Sequence, residues 1–178
     1  MGAIFIGLAG ILSIACAAGQ GVEVDGGSVM AKGVRFHAEV ARTPNEHAKG
    51  LMYRQYFKSD RCMFFVYEED DYHTIWMKNC LIALDVVWVS ADGTVVEVAE
   101  CVPPCSPMRG DDCPTYGGSA PSRHFIEFQT GTIRRIGLKV GDKVGWELKY
   151  SDGGSLKGGL EIKDAKDKGT AATRTTAR

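Results

Sequence analysis

The sequence predicts an α+β domain that is predominantly β, a compact barrel-like mixed sheet with one or two short helices. Three observations carry that prediction. Apolar runs of strand length, rich in valine and aromatic residues, recur between residues 33 and 150 with turn residues between them. Helix signals occur in only two short stretches. A chain of 178 residues with 44% hydrophobic and 24% charged residues is long enough to bury one core and has the composition of an ordinary globular domain.

The elements follow in chain order. GVRFHAEVA (33–41) alternates, with Val34, Phe36, Ala38 and Val40 on one face and Arg35, His37 and Glu39 on the other, as in a half-buried strand. Thr43 and Glu46 form a capping box around Pro44 at the first helical position, so a helix is expected from Pro44 to about Gln55. Gly50 inside that helix costs roughly 1 kcal/mol against alanine, which points to close packing against another backbone. RCMFFVYEE (61–69) reads as an apolar strand and EEDDYH as a turn. IWMKNCLI (75–82) and LDVVWVS (84–90) read as strands, and Ala91-Asp92-Gly93 returns TVVEVAE (94–100) as a hairpin partner. Residues 101–122 are rich in proline and glycine, carry three cysteines, and read as a long functional or stapled loop. HFIEFQTG (124–131) is a further strand, and residues 132–150 read as a short helix, a Lys-Val-Gly-Asp turn and a last strand.

The ends are different in kind. The first 22 residues carry no charge, and the apolar stretch from Ala3 to Ala18 is short for a membrane span but fits a signal-peptide core. Ala15-Cys16-Ala17 fits a cleavage site, and Cys16 after Ser-Ile-Ala resembles a lipoprotein box that lacks its leucine. Residues 1–18 are therefore expected to be a signal peptide or N-terminal anchor, 19–33 a linker, 34–150 the folded domain and 151–178 a disordered tail. The expected location is the bacterial periplasm or cell envelope, with the membrane touched only through the N-terminal segment. A net charge of −1, from 21 basic and 22 acidic residues, argues against a nucleic-acid partner, because phosphate binding needs a basic excess on one face. Beyond Cys16 there are five cysteines, so an exported chain is expected to form disulfides and to leave at least one thiol over.

The motifs GLMYRQ, CMFFVY, IWMKNCLIALDVVWVSADGTVVEV, PCSPMRGDDCPTYGGSAPSRHFIEFQTG and GLKVGD follow one another in an order that resembles the DUF192 family, also called UPF0127 or COG1430. The resemblance covers about residues 34–148 and is most specific at Trp76-Met77-Lys78-Asn79. It implies a compact β-rich α+β domain, often exported in bacteria, and it carries over no catalytic residues because the family's activity is not established. Matching positions include Gly50, Leu51, Met52, Arg54, Trp76, Lys78, Asn79, Leu84, Asp85, Gly93 and Asp142. Cys62 stands where the family usually has glycine and Cys80 where it has threonine. Cys101 is extra, while Cys105 and Cys113 match the family's paired loop cysteines.

The polar residues of 73–90 are costly in a strand. Alternation puts Leu84, Val86 and Trp88 on one face of their strand and Asp85 in line with Val87 and Val89 on the other, so Asp85 needs a cation or backbone donors. Arg54 and Lys78 are the expected cations, and neutralisation of Asp85 by one of them is the favoured reading. For Trp76, Lys78 and Asn79 a ligand pocket and a structural scaffold carry equal weight. In the pocket reading Arg54 and Lys78 bind an anionic group, Asn79 and Asp85 orient it, and Trp76 and Tyr116 bound it, with the long loop as a lid. Cys105 with Cys113, and Cys62 with Cys80 on strands expected to be hairpin neighbours, are the candidate disulfides. Metal binding by Cys101, Cys105 and Met108 is disfavoured by the oxidising compartment, and no metal or cofactor is assigned. The histidines are scattered and no nucleophile stands in a motif, so no catalytic residue is assigned. The resulting expectation is a non-catalytic domain that binds a small molecule or an envelope protein. An enzyme using Arg54, Lys78, Asn79 and Asp85, and a structural interaction module, are the alternatives.

Overall fold

The structure is a computed structural model that describes residues 25–162 of the chain. Ten strands and two short α-helices run in the order β1 (Gly26–Ala31), β2 (Val34–Ala41), α1 (Pro44–Lys49), β3 (Arg61–Asp71), β4 (Thr74–Trp76), β5 (Leu84–Val89), β6 (Val95–Val102), β7 (Thr115–Gly117), β8 (Ser122–Gln129), α2 (Thr132–Ile136), β9 (Val144–Lys149) and β10 (Ser155–Gly159). Eight strands form one curled half-barrel sheet in the order β10-β9-β1-β2-β3-β8-β5-β6, and β4 pairs with β7 in a separate ribbon. Among the described residues only β2 and β3 pair in parallel, because the chain crosses between them through α1. The α+β, mainly β expectation therefore stands.

The curl buries one face of the sheet against itself. Val29, Phe36, Phe64, Ile126, Phe128, Val87 and Trp146 meet inside it, with Ile133 and Leu138 from the α2 region plugging the end. The curl is held at the turn between β5 and β6, where the Val144 amide donates to the Gly93 carbonyl and the Val95 amide to Asp142, both at 2.8 Å. Gly93 has φ 79°, and a Cβ there would lie 2.2 Å from the Val144 carbonyl oxygen, so any side chain would force the turn away from β9. The outer face of the sheet carries Met63, Phe65, Phe125, Leu84, Val86 and Trp88. It is covered by residues outside this sheet, among them Leu51, Phe57, Met77, Cys80 and Ile75 of the β4–β7 ribbon.

Several boundaries differ from expectation. The expected linker 19–33 contains β1, which lies between β2 and β9, and the expected tail contains β10, which pairs with β9. Both strands are glycine-rich and polar in sequence, and their pairing comes from distant partners rather than local propensity. The capping box at Thr43 forms as expected, but the helix ends at Lys49 instead of about Gln55. Gly50 is its C-cap, and the group packed against Gly50 is the Phe65 ring rather than a backbone. The acids Glu68–Asp71, expected in a turn, extend β3. The strand expected over 75–82 stops at Trp76, after which Asn79 takes φ 56°. The expected N-terminal signal or anchor lies outside the described residues.

Asp85 ties these parts together. It is fully buried on β5, on the same face as Val87 and Val89. Its carboxylate accepts the Cys101 amide at 2.9 Å and the Ile133 amide at 2.8 Å. The Cys101 amide is free for it because the β5–β6 register shifts between Leu84 and Val86 and Cys101 sits at φ 55°. The Ile133 amide is one of the first-turn donors of α2, which has no side-chain cap of its own. Neutralisation by Arg54 or Lys78 is thus replaced by backbone donors. Asp85→Ala should lower unfolding stability by about 3 kcal/mol, since two buried amides lose a charged acceptor. Urea unfolding followed by tryptophan fluorescence measures this, and a loss near zero would show that the tie is dispensable.

Candidate functional site

One concave site lies on the outer layer, where the chain after β4 meets the long loop. Pairing of Ile75 with Tyr116 and of Trp76 with Thr115 brings that loop onto the Trp76 strand. The Met77 carbonyl then accepts both the Cys80 and the Cys105 amides, each at 3.2 Å, which fixes the loop's entry. Cys105 and Cys113 are joined by a disulfide across eight positions, with Cα atoms 5.8 Å apart. Opposite the loop, the Tyr53 amide donates to the Asn79 carbonyl at 2.8 Å. Tyr53 at φ 63° and Asn79 at φ 56° are both non-glycine residues in the left-handed region. Between these walls is a groove of 420 Å³ lined by Tyr53, Lys78, Asn79, Leu81, Pro104 and Pro107 among others. The Lys78 ammonium pairs with the Asp111 carboxylate on the loop and lies 5.1 Å from the Trp76 ring centre. The Asp111 side chain is 83% exposed, so this pair is a weak, displaceable latch.

The structure divides the expected site residues. Lys78 and Asn79 line the groove, Trp76 is held beside it by Lys78, and Tyr116 is half-buried on the paired strand behind Trp76. Arg54 is not with them. Its guanidinium pairs with both Glu39 oxygens at 3.0 and 2.5 Å and lines a separate cleft of 660 Å³ with Glu39 and Arg61. Asp85 is in neither place, being sealed on the inner face of the sheet. The expected single pocket therefore keeps Lys78 and Asn79, with Trp76 and Tyr116 adjoining, and loses Arg54 and Asp85. Tyr53 was missed because a backbone turned left-handed by tertiary contacts leaves no trace in residue type.

This order of elements, and the sequence that forms it, match known proteins. Residues 27–146 match the family described as DUF192, uncharacterized ACR, COG1430. The chain belongs to the DUF192 family. A solved protein of unknown function from Novosphingobium aromaticivorans DSM 12444 is similar, with 32% identity, a TM-score of 0.60, and coverage of 69% of this chain and 84% of that one. A solved protein from Sinorhizobium meliloti 1021 is similar at 27% identity and a TM-score of 0.59, covering 68% of this chain and 92% of that one. A comparison with curated proteins finds no match.

The cysteines of this DUF192 domain fall into three environments. Cys62 and Cys80 are both free and buried, so the second expected disulfide does not form. Cys62 points into the inner core and Cys80 into the outer one, on opposite faces of the sheet, a placement no bridge can span. Burial pushes the Cys80 thiol up to about 12 and the Cys62 thiol well above its ordinary value, so neither is a nucleophile. Cys101 is the exposed free thiol, as the count anticipated. Iodoacetamide applied to the native protein should therefore label Cys101 and spare Cys62 and Cys80, read by peptide mass spectrometry. Rapid labelling of Cys80 would show the outer core to be open.

One titratable residue escaped the sequence reading. Glu127 on β8 is 7% exposed, and its Oε2 has no hydrogen-bond partner among the described residues. HFIEFQ places Glu127 in register with Met63 and Val86, on the outer sheet face beside Phe65 and Phe125. An acid inside an apolar strand was the available signal, but the outer layer also covers the second face of β8, which leaves it no solvent face. Burial pushes the Glu127 carboxyl up to about 8, partly offset by Arg54. Next to it, Tyr67 is sandwiched between His47 and His73, with ring centres 4.4 and 3.8 Å away. Because the folded state holds the Glu127 proton more tightly than the unfolded state, this group favours folding at acid pH. That advantage disappears as pH rises from the ordinary glutamate range to about 8. Glu127→Gln should therefore raise stability by ~3 kcal/mol at neutral pH and make little difference near pH 4. Paired thermal melts across that range measure it, and a pH-independent difference would contradict a buried neutral acid.

Proposed function

We propose that this DUF192 domain is an exported, envelope-associated binding protein whose ligand sits in the groove under the stapled loop. The observation that carries the reading is the pair Tyr53 and Asn79, two residues in a costly backbone conformation hydrogen-bonded to each other along the groove wall. Such strain persists where surrounding structure enforces it, and it concentrates at ligand sites. The groove's 420 Å³ suits a small molecule, with apolar walls and few polar groups. Lys78 is its cation, and the exposed Asp111 carboxylate marks where an anionic group of the ligand would bind in exchange. The disulfide limits the loop's freedom before binding and so lowers the ordering cost.

Binding is favoured over catalysis because the residues lining the groove include no histidine, aspartate or glutamate to activate Ser106 or Cys80. Export is supported by the uncharged first 22 residues and by the disulfide, which persists in oxidising compartments. A partner's chain segment is the second reading. It is favoured by apolar exposure at the groove and its loop, where Tyr53 is 67%, Leu81 52% and Met108 95% exposed.

Native mass spectrometry of protein taken from its own cell envelope tests the proposal. Wild type should retain an added organic mass, and Lys78→Ala should lose it while its stability changes by less than about 0.5 kcal/mol. Wild type that carries no mass, or a Lys78→Ala variant that loses about 2 kcal/mol or more, would return Lys78 to a structural role.

A further inference from the structure

The outer face holds a second opening, separate from the groove. A crevice of 110 Å³ between α1, β4 and the sheet is walled by Phe65, Tyr67, Trp76 and Phe125, with Glu127 among its lining residues. Phe65 and Phe125 stack with ring centres 4.3 Å apart, and Trp76 is 39% exposed. The Glu127 carboxyl is more than nine-tenths buried, and its Oε2 has neither a donor nor an ion-pair partner among the described residues. A buried acid without a partner is expensive, and nothing in the fold uses it as a tie in the way Asp85 is used. Aromatic faces carry negative potential, so rings beside a carboxyl favour a cation and disfavour an anion. The volume admits a group of a few heavy atoms, about the size of an ammonium head on a short stem.

We propose that this crevice is a binding site for a primary ammonium group, with Glu127 as its counter-ion, Trp76 as its aromatic face and Tyr67, Phe65 and Phe125 completing its walls. The site shares Trp76 with the Lys78 groove, which suits the opposite charge. Bound ammonium would hold Glu127 ionised, so affinity depends on pH. The other groups that face Glu127 or its crevice are Lys49 and His47 on α1, Arg54 after it, Tyr67 on β3, His73 stacked on Tyr67, Lys78 beside Trp76 and Cys80 in the turn after β4. Burial pushes Tyr67 up to about 12 and Cys80 to a similar value, so both stay neutral through the working range. Burial pushes the His73 ring, which stacks on Tyr67, below its ordinary value, so a histidine titration is read at the same aromatic ring as that of Glu127.

Methylammonium chloride is the probe, titrated into the whole protein and followed through the NMR signals of the Tyr67 ring and the Trp76 indole. Saturable shifts at both are expected at pH 9, with affinity falling about tenfold per pH unit once pH drops below the Glu127 titration. A pH dependence centred at or below the histidine range would assign the effect to the histidines packed on Tyr67 and overturn the proposal. Glu127→Gln keeps the shape of the side chain and should abolish the shifts. Acetamide, neutral and of similar size, should produce none. An Nα-acetyl-lysine amide that binds tighter than methylammonium would mark a protein lysine as the natural occupant, and the reverse order a free amine. No shifts in wild type, shifts retained in Glu127→Gln, or tighter binding of acetamide would each overturn the proposal.

Discussion

A sheet has two faces, and the architecture of this domain follows from how each is buried. The eight-stranded sheet curls until the β5–β6 turn bonds to the start of β9, and its concave face becomes a core made of its own strands. The convex face cannot be buried by curling. It carries Met63, Phe65, Phe125, Leu84, Val86 and Trp88, so other chain must cover it. That cover consists of the short helix and its exit, the β4–β7 ribbon, the turn after β4 and the disulfide-stapled loop. Irregular chain fills a convex surface imperfectly, and both the groove and the aromatic crevice are gaps in this one layer.

Two buried acids show how the layers are treated differently. Asp85 faces the inner core and is fully satisfied by the Cys101 and Ile133 amides. It fastens the end of β6 and the start of α2 to β5, which makes it structural. Glu127 faces the outer layer, one strand away, and its Oε2 lacks a partner. The same physics that makes Asp85 a tie makes Glu127 a liability unless something outside the described residues completes it. Residue type does not separate the two roles, since each is a carboxylate in an apolar strand. The difference lies in whether backbone donors are aimed at it.

Charge is divided in the same way. Lys78 is latched by a loop carboxylate that solvent reaches, while Arg54 is committed to Glu39 with both oxygens engaged. A bidentate pair has little freedom to change partner, and a single exposed contact has much. This is why Lys78, rather than Arg54, is the cation available to a ligand. The stapled loop that carries Asp111 is tied to the fold near its two ends, by the Cys105 amide on the Met77 carbonyl and by β7.

By itself the sequence determined the class of the fold, most strands of the central sheet, the capping box at Thr43, the Cys105–Cys113 loop and the family. These are legible because they rest on local signals: alternation, a cap spacing, a turn, a motif order. It also named Trp76, Lys78, Asn79 and Tyr116 as pocket candidates, in one set with Arg54 and Asp85, which the fold places elsewhere. Tertiary structure alone decided that β1 and β10 are strands, because partner strands distant in sequence supply their pairing. It decided that Cys62 and Cys80 lie on opposite faces, that Arg54 belongs to Glu39, and that backbone amides satisfy Asp85. It also decided that Glu127 is buried, since a strand alternates the same way whether or not its second face is covered. Each of these depends on which distant segment arrives opposite a given residue, and a local pattern carries no record of that.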